Sequence, residues 1–224
     1  MSLRDPLYTT CALISIFVPL SRRPPRSTLF PYTTLFRSLI RQKRNQLNAH
    51  EQDLHAYAIA RLITRQQSFR SAKRIACYLA EDGEIDPFYI IEKAWQYKKT
   101  VFLPVLPPTG KSLFFAPYTL KTKLKVNQFG IPEPDTDPAH WVRARELSLI
   151  LLPLVAFDDK GNRLGMGGGY YDRSLAFIKH RKQWHNPKLI GLAHELQKVD
   201  ALSTEAWDIP LNMIATEEKI YTHK

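Results

Sequence analysis

The chain has 224 residues, 44% of them hydrophobic and 24% charged, which suits one α/β-sized globular domain with a real core rather than a disordered or fibrous chain. Its formal net charge of +11 favours anionic ligands, but charge alone does not separate a nucleotide-using enzyme from a nucleic-acid binder. Cys11 and Cys77 form no spaced pair, the histidines lack HExxH spacing, and no apolar stretch reaches the length of a membrane span.

Residues 1–38 differ in character from the rest. They hold five arginines against one aspartate, leaving a remainder of about +7 that is still basic. Residues 11–20 are apolar after Arg4, like a signal-peptide core, yet Ser21-Arg-Arg-Pro-Pro-Arg26-Ser27 is no small-residue cleavage site. Thr28-Leu-Phe-Pro-Tyr-Thr-Thr-Leu-Phe-Arg-Ser38 resembles the in-frame translation of a sequencing-library adapter. Residues 1–38 are therefore expected to be a non-native extension, and 39–224 one domain.

From Leu39 a basic helix is expected, ending near Asn48, where Asn48 and Glu51 have the spacing of a capping box. The next helix should carry Leu54, Ala58 and Leu62 on its apolar stripe, with Ile59 and Ile63 beside them. Ile75 to Leu79 reads as the first core strand, with Cys77 a buried thiol, and Pro87 opens a further helix. The loop Glu81-Asp82-Gly83-Glu84 follows that strand, where open α/β sheets bind ligands. Residues 101–105 and 113–115 are short strands around a Pro-Pro-Thr-Gly turn. Lys121, Lys123 and Lys125 alternate as one solvated face, and Phe129 to Pro134 is a proline-held loop. The apolar run Leu149 to Phe157 reads as one buried strand. Lys188 to Leu192 and a segment around Met213 to Ala215 complete a layered α/β pattern with a largely parallel sheet.

Between the apolar run and the late strands lies Asn162-Arg-Leu-Gly-Met-Gly-Gly-Gly-Tyr-Tyr-Asp-Arg173, holding four of the nine glycines. Strand, glycine turn and helix start bring backbone N–H groups to one point, a geometry for phosphate. A Walker loop would end in Gly-Lys-Ser/Thr, and a dinucleotide fingerprint would need glycine where Tyr170 stands.

This stretch, with Ala156-Phe157-Asp158 before it, resembles the signature of the 5-formyltetrahydrofolate cyclo-ligase family. The similarity continues collinearly through Gly83-Glu84-Ile85-Asp86, Leu103-Pro104-Val105, Gly130-Ile131-Pro132-Glu133-Pro134, Ile190-Gly191-Leu192-Ala193 and Trp207-Asp208-Ile209-Pro210-Leu211. The resemblance covers roughly residue 39 to the C-terminus. It implies a three-layer α/β/α sandwich in the cytoplasm that uses ATP, Mg²⁺ and 5-formyltetrahydrofolate, with no nucleic-acid or membrane partner.

The same resemblance implies site roles. Arg163 and Tyr170 are the expected catalytic groups. ATP would be held by Arg37, Arg163, Leu164, Gly165, Met166, Gly167, Gly168, Gly169, Tyr170 and Tyr171. The folate would meet Leu79, Glu84, Phe129, Met166, Gly167, Gly168, Gly169 and Tyr170, with Phe129 where some relatives place a tryptophan. Asp172 and Asp208 would hold Mg²⁺, which prefers carboxylate oxygen. The family's first helix supplies a Lys-x-x-x-Arg pair. In this register it falls on Thr33 and Arg37, with Pro31 expected to break the helix. Asn212 stands where the family usually has aspartate. Two other classes stay open: a sugar-phosphate isomerase or CoA-transferase-like enzyme without ATP, and a basic nucleic-acid binder.

Overall fold

The computed structural model describes residues 26–107, 112–180 and 187–222, with side chains from residue 34 onward. Cys11, the apolar segment 11–20, the Thr33 side chain and part of the Pro-Pro-Thr-Gly turn lie outside the described residues.

A seven-stranded sheet forms the middle layer. Its strands are β1 (Arg74–Ala76), β2 (Thr100–Val105), β3 (Phe114–Tyr118), β6 (Leu149–Pro153), β9 (Lys188–Leu192), β10 (Met213–Ala215) and β11 (Ile220–Thr222), in the spatial order β11-β10-β9-β6-β1-β2-β3. The five inner strands are mutually parallel, and β3 and β11 close the edges antiparallel. Two small ribbons stand outside the sheet, β4 (Leu124–Val126) with β5 (Pro132–Pro134), and β7 (Ala156–Phe157) with β8 (Arg163–Leu164).

Alternation along the central strands divides the core. Ile75, Cys77, Leu149 and Leu151 face one cluster, while Ala76, Ile150 and Leu152 face the other. A strand buried on both faces reads as continuous apolar sequence, which is how β6 appears. The first cluster lies under α2 (Ala49–Thr64), α3 (Gln67–Ser71) and α4 (Phe88–Gln96). The second takes Leu175 from α5 (Tyr170–Leu175), together with Ile209 and Leu211. The layered, largely parallel α/β architecture agrees with expectation.

Several boundaries differ. The first helix, α1, spans Arg26–Arg44 and its backbone runs through Pro31, which does not break it. Proline lacks the N–H that would bond one turn back, so the helix continues with a gap in its ladder. On α2 the Asn48–Glu51 capping box is present, at 2.8 and 3.0 Å. The buried stripe is Ala56, Ile59, Ala60 and Ile63, whereas Leu54 is exposed. Pro87 caps α4 rather than opening it. The strand expected over residues 75–79 ends at Ala76, although the Cys77 N–H still bonds the Phe102 carbonyl at 2.9 Å. The apolar run 149–157 is two strands: β6 stops at Pro153, and Ala156–Phe157 leaves the sheet to pair with Arg163–Leu164.

The chain passes from β1 outward to β2 and β3, then returns to β6 on the other side of β1. Strand order therefore reverses between β1 and β6, and the loops beyond their C-terminal ends flank a crevice. That is the place where open α/β sheets take ligands.

Candidate active site

Two loops leave the switch point. The loop after β1 carries Glu81 to Glu84, and the segment after β6 turns through β7 and β8 into the glycine stretch. Asp158 organises that second turn. It is almost fully buried and accepts the Lys160 and Asn162 N–H groups on Oδ1, both at 3.0 Å. Its Oδ2 accepts the Asn162 amide at 2.9 Å and the Leu202 N–H at 3.1 Å. Burial alone would raise its pKa, but these hydrogen bonds to the charged form hold it below the ordinary value.

Gly167 and Gly169 sit at φ +98° and +64°, the left-handed region that side chains avoid, and Gly169 caps α5. The helix after the loop is a single short turn and a half, continued as a 3₁₀ segment over Ala176–His180. It offers less aligned dipole than a full helix start.

Arg37 reaches this loop from α1. Its Nε donates to the Gly165 carbonyl at 2.8 Å, and its guanidinium lies 3.6 Å from where a Gly167 Cβ would stand. On the other side, Tyr170 meets the exposed Phe129 edge-on with ring centroids 6.0 Å apart. Arg173 lies over the Tyr170 ring at 4.9 Å and donates to the Gly168 carbonyl at 2.8 Å. Phe129 is presented by a stitched loop. Asn127 Oδ1 accepts the Phe129 and Ile131 N–H groups, and the buried Glu133 accepts from Asn127 and Leu106.

Arg163, nearly buried, donates to Asp172 Oδ1 at 2.6 Å and to the Ile209 carbonyl. The Ile209 N–H also approaches Asp172 Oδ1, at 3.4 Å. Asp208 is the next residue back, and the charges of both aspartates act on the Arg163 guanidinium. Asp208 Oδ2 accepts the Glu205 N–H at 2.8 Å. A cavity of about 360 Å³ opens here, lined by Asn162, Arg163, Lys179, Glu205 and Asp208 among others. The structure thus brings Arg163, Asp172 and Asp208 together, with the guanidinium already engaged by Asp172 and a carbonyl.

Glu84 lies in the first loop, partly buried, with its carboxylate 3.4 Å from the Glu81 N–H. Burial pushes its pKa up to about 7, against the pull of Arg44. Burial also raises Tyr78 and Tyr171, and the Glu84 charge adds to both. Leu79 packs beside it against the core. Met166 is exposed on the loop, and Leu164 is half-buried on β8.

The basic residues of the first helix do not all face solvent, and Arg44 is the clearest case. It is 1% exposed, donates to the Asp82 carbonyl at 2.8 Å and carboxylate at 3.1 Å, and reaches the Leu154 carbonyl at 3.4 Å. Arg41 and Asn45 bind the same Asp82 carboxylate at 2.5 and 2.7 Å. Gly83, at φ +71°, lets α1 approach closely, since a Cβ there would stand 2.5 Å from Asn45 Oδ1. The i, i+3, i+4 spacing of Arg41, Arg44 and Asn45 was the available signal. Asn212 also has a defined place: its Oδ1 accepts the Leu189 N–H at 2.9 Å, which an amide oxygen does as well as a carboxylate.

Residues 32–217 match the model of the 5-formyltetrahydrofolate cyclo-ligase family. The 5-formyltetrahydrofolate cyclo-ligase of Haemophilus influenzae is 43% identical over 178 residues, 78% of this chain and 92% of that one. The Escherichia coli K12 enzyme of the same name is 38% identical over 185 residues, 82% of this chain and 99% of the other. Among solved structures, the Aquifex aeolicus 5,10-methenyltetrahydrofolate synthetase superposes with a TM-score of 0.70 at 28% identity, covering 85% of this chain and 92% of that one. The switch-point crevice, the glycine stretch bent between Arg37 and Tyr170, and a match running from the first helix to the last strands all lead to one assignment: the chain belongs to the 5-formyltetrahydrofolate cyclo-ligase family.

Proposed function

We propose that the chain closes 5-formyltetrahydrofolate to 5,10-methenyltetrahydrofolate using ATP and Mg²⁺, releasing ADP and phosphate. The observation that carries this reading is the position of the glycine stretch, with a guanidinium on one side and an aromatic pair on the other. A polyphosphate needs the first and a pterin the second.

A formamide oxygen is a poor leaving group. Transfer of the ATP γ-phosphoryl to it forms an O–P bond as the bond to ADP breaks, and the folate N10 nitrogen then attacks the activated carbon. Loss of phosphate takes the oxygen away and N10 gives up its proton. Such a transfer depends on placement and charge more than on a protein nucleophile.

Arg37 and the N–H groups of residues 164–171 are assigned to the phosphates. Arg163 fixes Asp172 and the Asp208 loop and adds positive charge beneath them. Phe129, Tyr170, Leu79 and Glu84 hold the pterin, and Met166 to Gly169 lie between the two substrates.

Asp172 and Asp208 fit a Mg²⁺ ion by their chemistry. Both are hard oxygen donors gathered about the Arg163 guanidinium, with Asp172 hydrogen-bonded through Oδ1 and Asp208 through Oδ2, leaving each a second oxygen. Mg²⁺ bound there supplies neutralisation of polyphosphate charge. Two carboxylates gathered about one guanidinium also weigh against an ATP-independent isomerase or transferase. The enzyme is assigned to the cytoplasm, and residues 1–38 to a non-native extension in which Arg37 falls on the family's arginine position by accident. No helix among the described residues is long and apolar enough to cross a membrane.

The test is absorbance at the methenyl-folate band with purified protein, with and without ATP and Mg²⁺. Product is expected only with both, and Asp172→Asn is expected to abolish turnover without unfolding the chain. Full activity of that variant at ordinary Mg²⁺ refutes the metal role, and product without ATP refutes the reaction.

A further inference from the structure

Away from the glycine stretch, α2, the turn after β9 and the turn between β10 and β11 meet. They bring together His55, His194 and Glu217, the one group of three such side chains among the described residues whose ligand atoms lie within 4.8 Å of one another. His55 Nδ1 is 2.8 Å from His194 Nδ1 and 3.5 Å from Glu217 Oε1.

Two of the three, His194 and Glu217, are aimed by partners outside the group. His194 Nε2 lies 3.1 Å from the Gly83 carbonyl, which can only accept, so the ring proton sits on Nε2 and the Nδ1 lone pair points into the cluster. The Glu217 carboxylate is held by the Glu195 N–H, at 3.0 and 3.2 Å to its two oxygens. The Gln197 side chain fixes the backbone of His194 by accepting its N–H at 2.8 Å, and donates to the Leu154 and Val155 carbonyls. Outer partners of this kind are what orient histidine and carboxylate around a metal. His194 is fully buried, so its ring is fixed in place by these contacts.

We propose that His55, His194 and Glu217 form a second metal site, taking Zn²⁺ or a similar nitrogen-preferring divalent ion, with water in the fourth position. Two imidazole nitrogens set it apart from Mg²⁺ chemistry, which prefers oxygen. Tetrahedral Zn–N bonds place two nitrogens about 3.3 Å apart, so the Nδ1 pair must open slightly. His55 has the freedom to do this, with 23% of its side chain exposed. The proton shared between the two nitrogens leaves or moves to His55 Nε2 as the ion enters. Through the Gly83 carbonyl, the ion stiffens the loop that carries Glu84.

The full chain, stripped with chelator and returned to metal-free buffer, is titrated with Zn²⁺ by calorimetry and with Co²⁺ by visible absorption. Expected are one equivalent of Zn²⁺ at micromolar affinity or better, intense d–d bands of four-coordinate Co²⁺, and a higher Tm. His55→Ala and Glu217→Gln, at partly exposed positions, should each weaken Zn²⁺ binding roughly ten- to a hundred-fold, while Asp172→Asn leaves it unchanged. Absence of stoichiometric binding, a six-coordinate Co²⁺ spectrum, or wild-type affinity in both folded variants overturns the proposal. A Zn²⁺ site lost in Asp172→Asn but kept in His55→Ala would assign the binding to the aspartate pair and overturn it equally.

Discussion

Replacing Glu84 by glutamine isolates the cost of holding a carboxylate in the crevice. The ordinary value is 4.5 and burial raises it to about 7 in the folded chain. Between these two values the native protein keeps a proton that the unfolded chain has released, so stability falls as pH rises from 4.5 towards 7 and levels off above. The difference corresponds to about 3 kcal/mol at most. Glutamine keeps the oxygen that accepts the Glu81 N–H and removes the charge. Glu84→Gln should therefore match wild type below pH 4.5 and exceed it by up to about 3 kcal/mol above pH 7. Urea unfolding across pH 4 to 9 reads this as a midpoint gap that opens with pH, reaching about 1 M or more for a slope near 2 kcal/mol/M. A constant gap at all pH values, or a less stable variant at pH 8, refutes the reasoning. The same variant should raise KM for the folate, because the pterin loses its acidic partner.

Arg37→Ala should raise KM for ATP on the order of ten- to a hundred-fold, the loss of a charge-assisted hydrogen bond. Thr33→Lys should lower it, because the helical backbone runs continuously through residues 33 and 37 and places them on one face; steady-state kinetics of the two variants checks both, and unchanged values remove α1 from the nucleotide site. Gly168→Val should disturb folate and ATP together, since a Cβ there stands 2.9 Å from the Tyr170 ring; calorimetry showing wild-type affinity for both counts against the loop. Asp158→Ala strands four part-buried donors and should cost about 1–3 kcal/mol, read by denaturant melts at pH 7. The wild-type contribution should fade as pH falls through the depressed native pKa, because the unfolded chain takes up the proton first.

Much of the sheet was legible because fully buried strands are written as apolar runs. Residues 149–153 and 188–192 could scarcely be read otherwise. What escaped was anything set by partners distant in sequence. Leu54 and Ile59 are equally apolar, and only the packing against the sheet buries Ile59 and leaves Leu54 in water. The break at Pro153 was marked by a residue that cannot donate to a ladder, but Val155 to Phe157 read as its continuation until the Arg163–Leu164 partner was in place. The edge strand β11 is three residues long, too short for periodicity to reveal. At the site, glycines and aromatics were visible as a motif, while the Arg44–Asp82 pair was not, since helical spacing puts Arg41, Arg44 and Asn45 on one face without saying which loop acid meets them. Asp158 stood within the matched motif, but its four hydrogen bonds depend on a turn and on Leu202, which lies far along the chain.

The first helix holds the glycine stretch at Arg37 and the Glu81–Glu84 loop at Arg41, Arg44 and Asn45. Arg37 and Arg44 lie two turns apart, about 10 Å along the axis. The helix is thus a gauge bar, and the spacing between the glycine stretch and the Glu81–Glu84 loop is set by its pitch rather than by either loop. A gauge of this kind tolerates changes of side chain along its outer face but not a change of count. One residue added between the two arginines would turn Arg37 by about 100° about the axis and point it away from the glycines while Arg44 stayed in place.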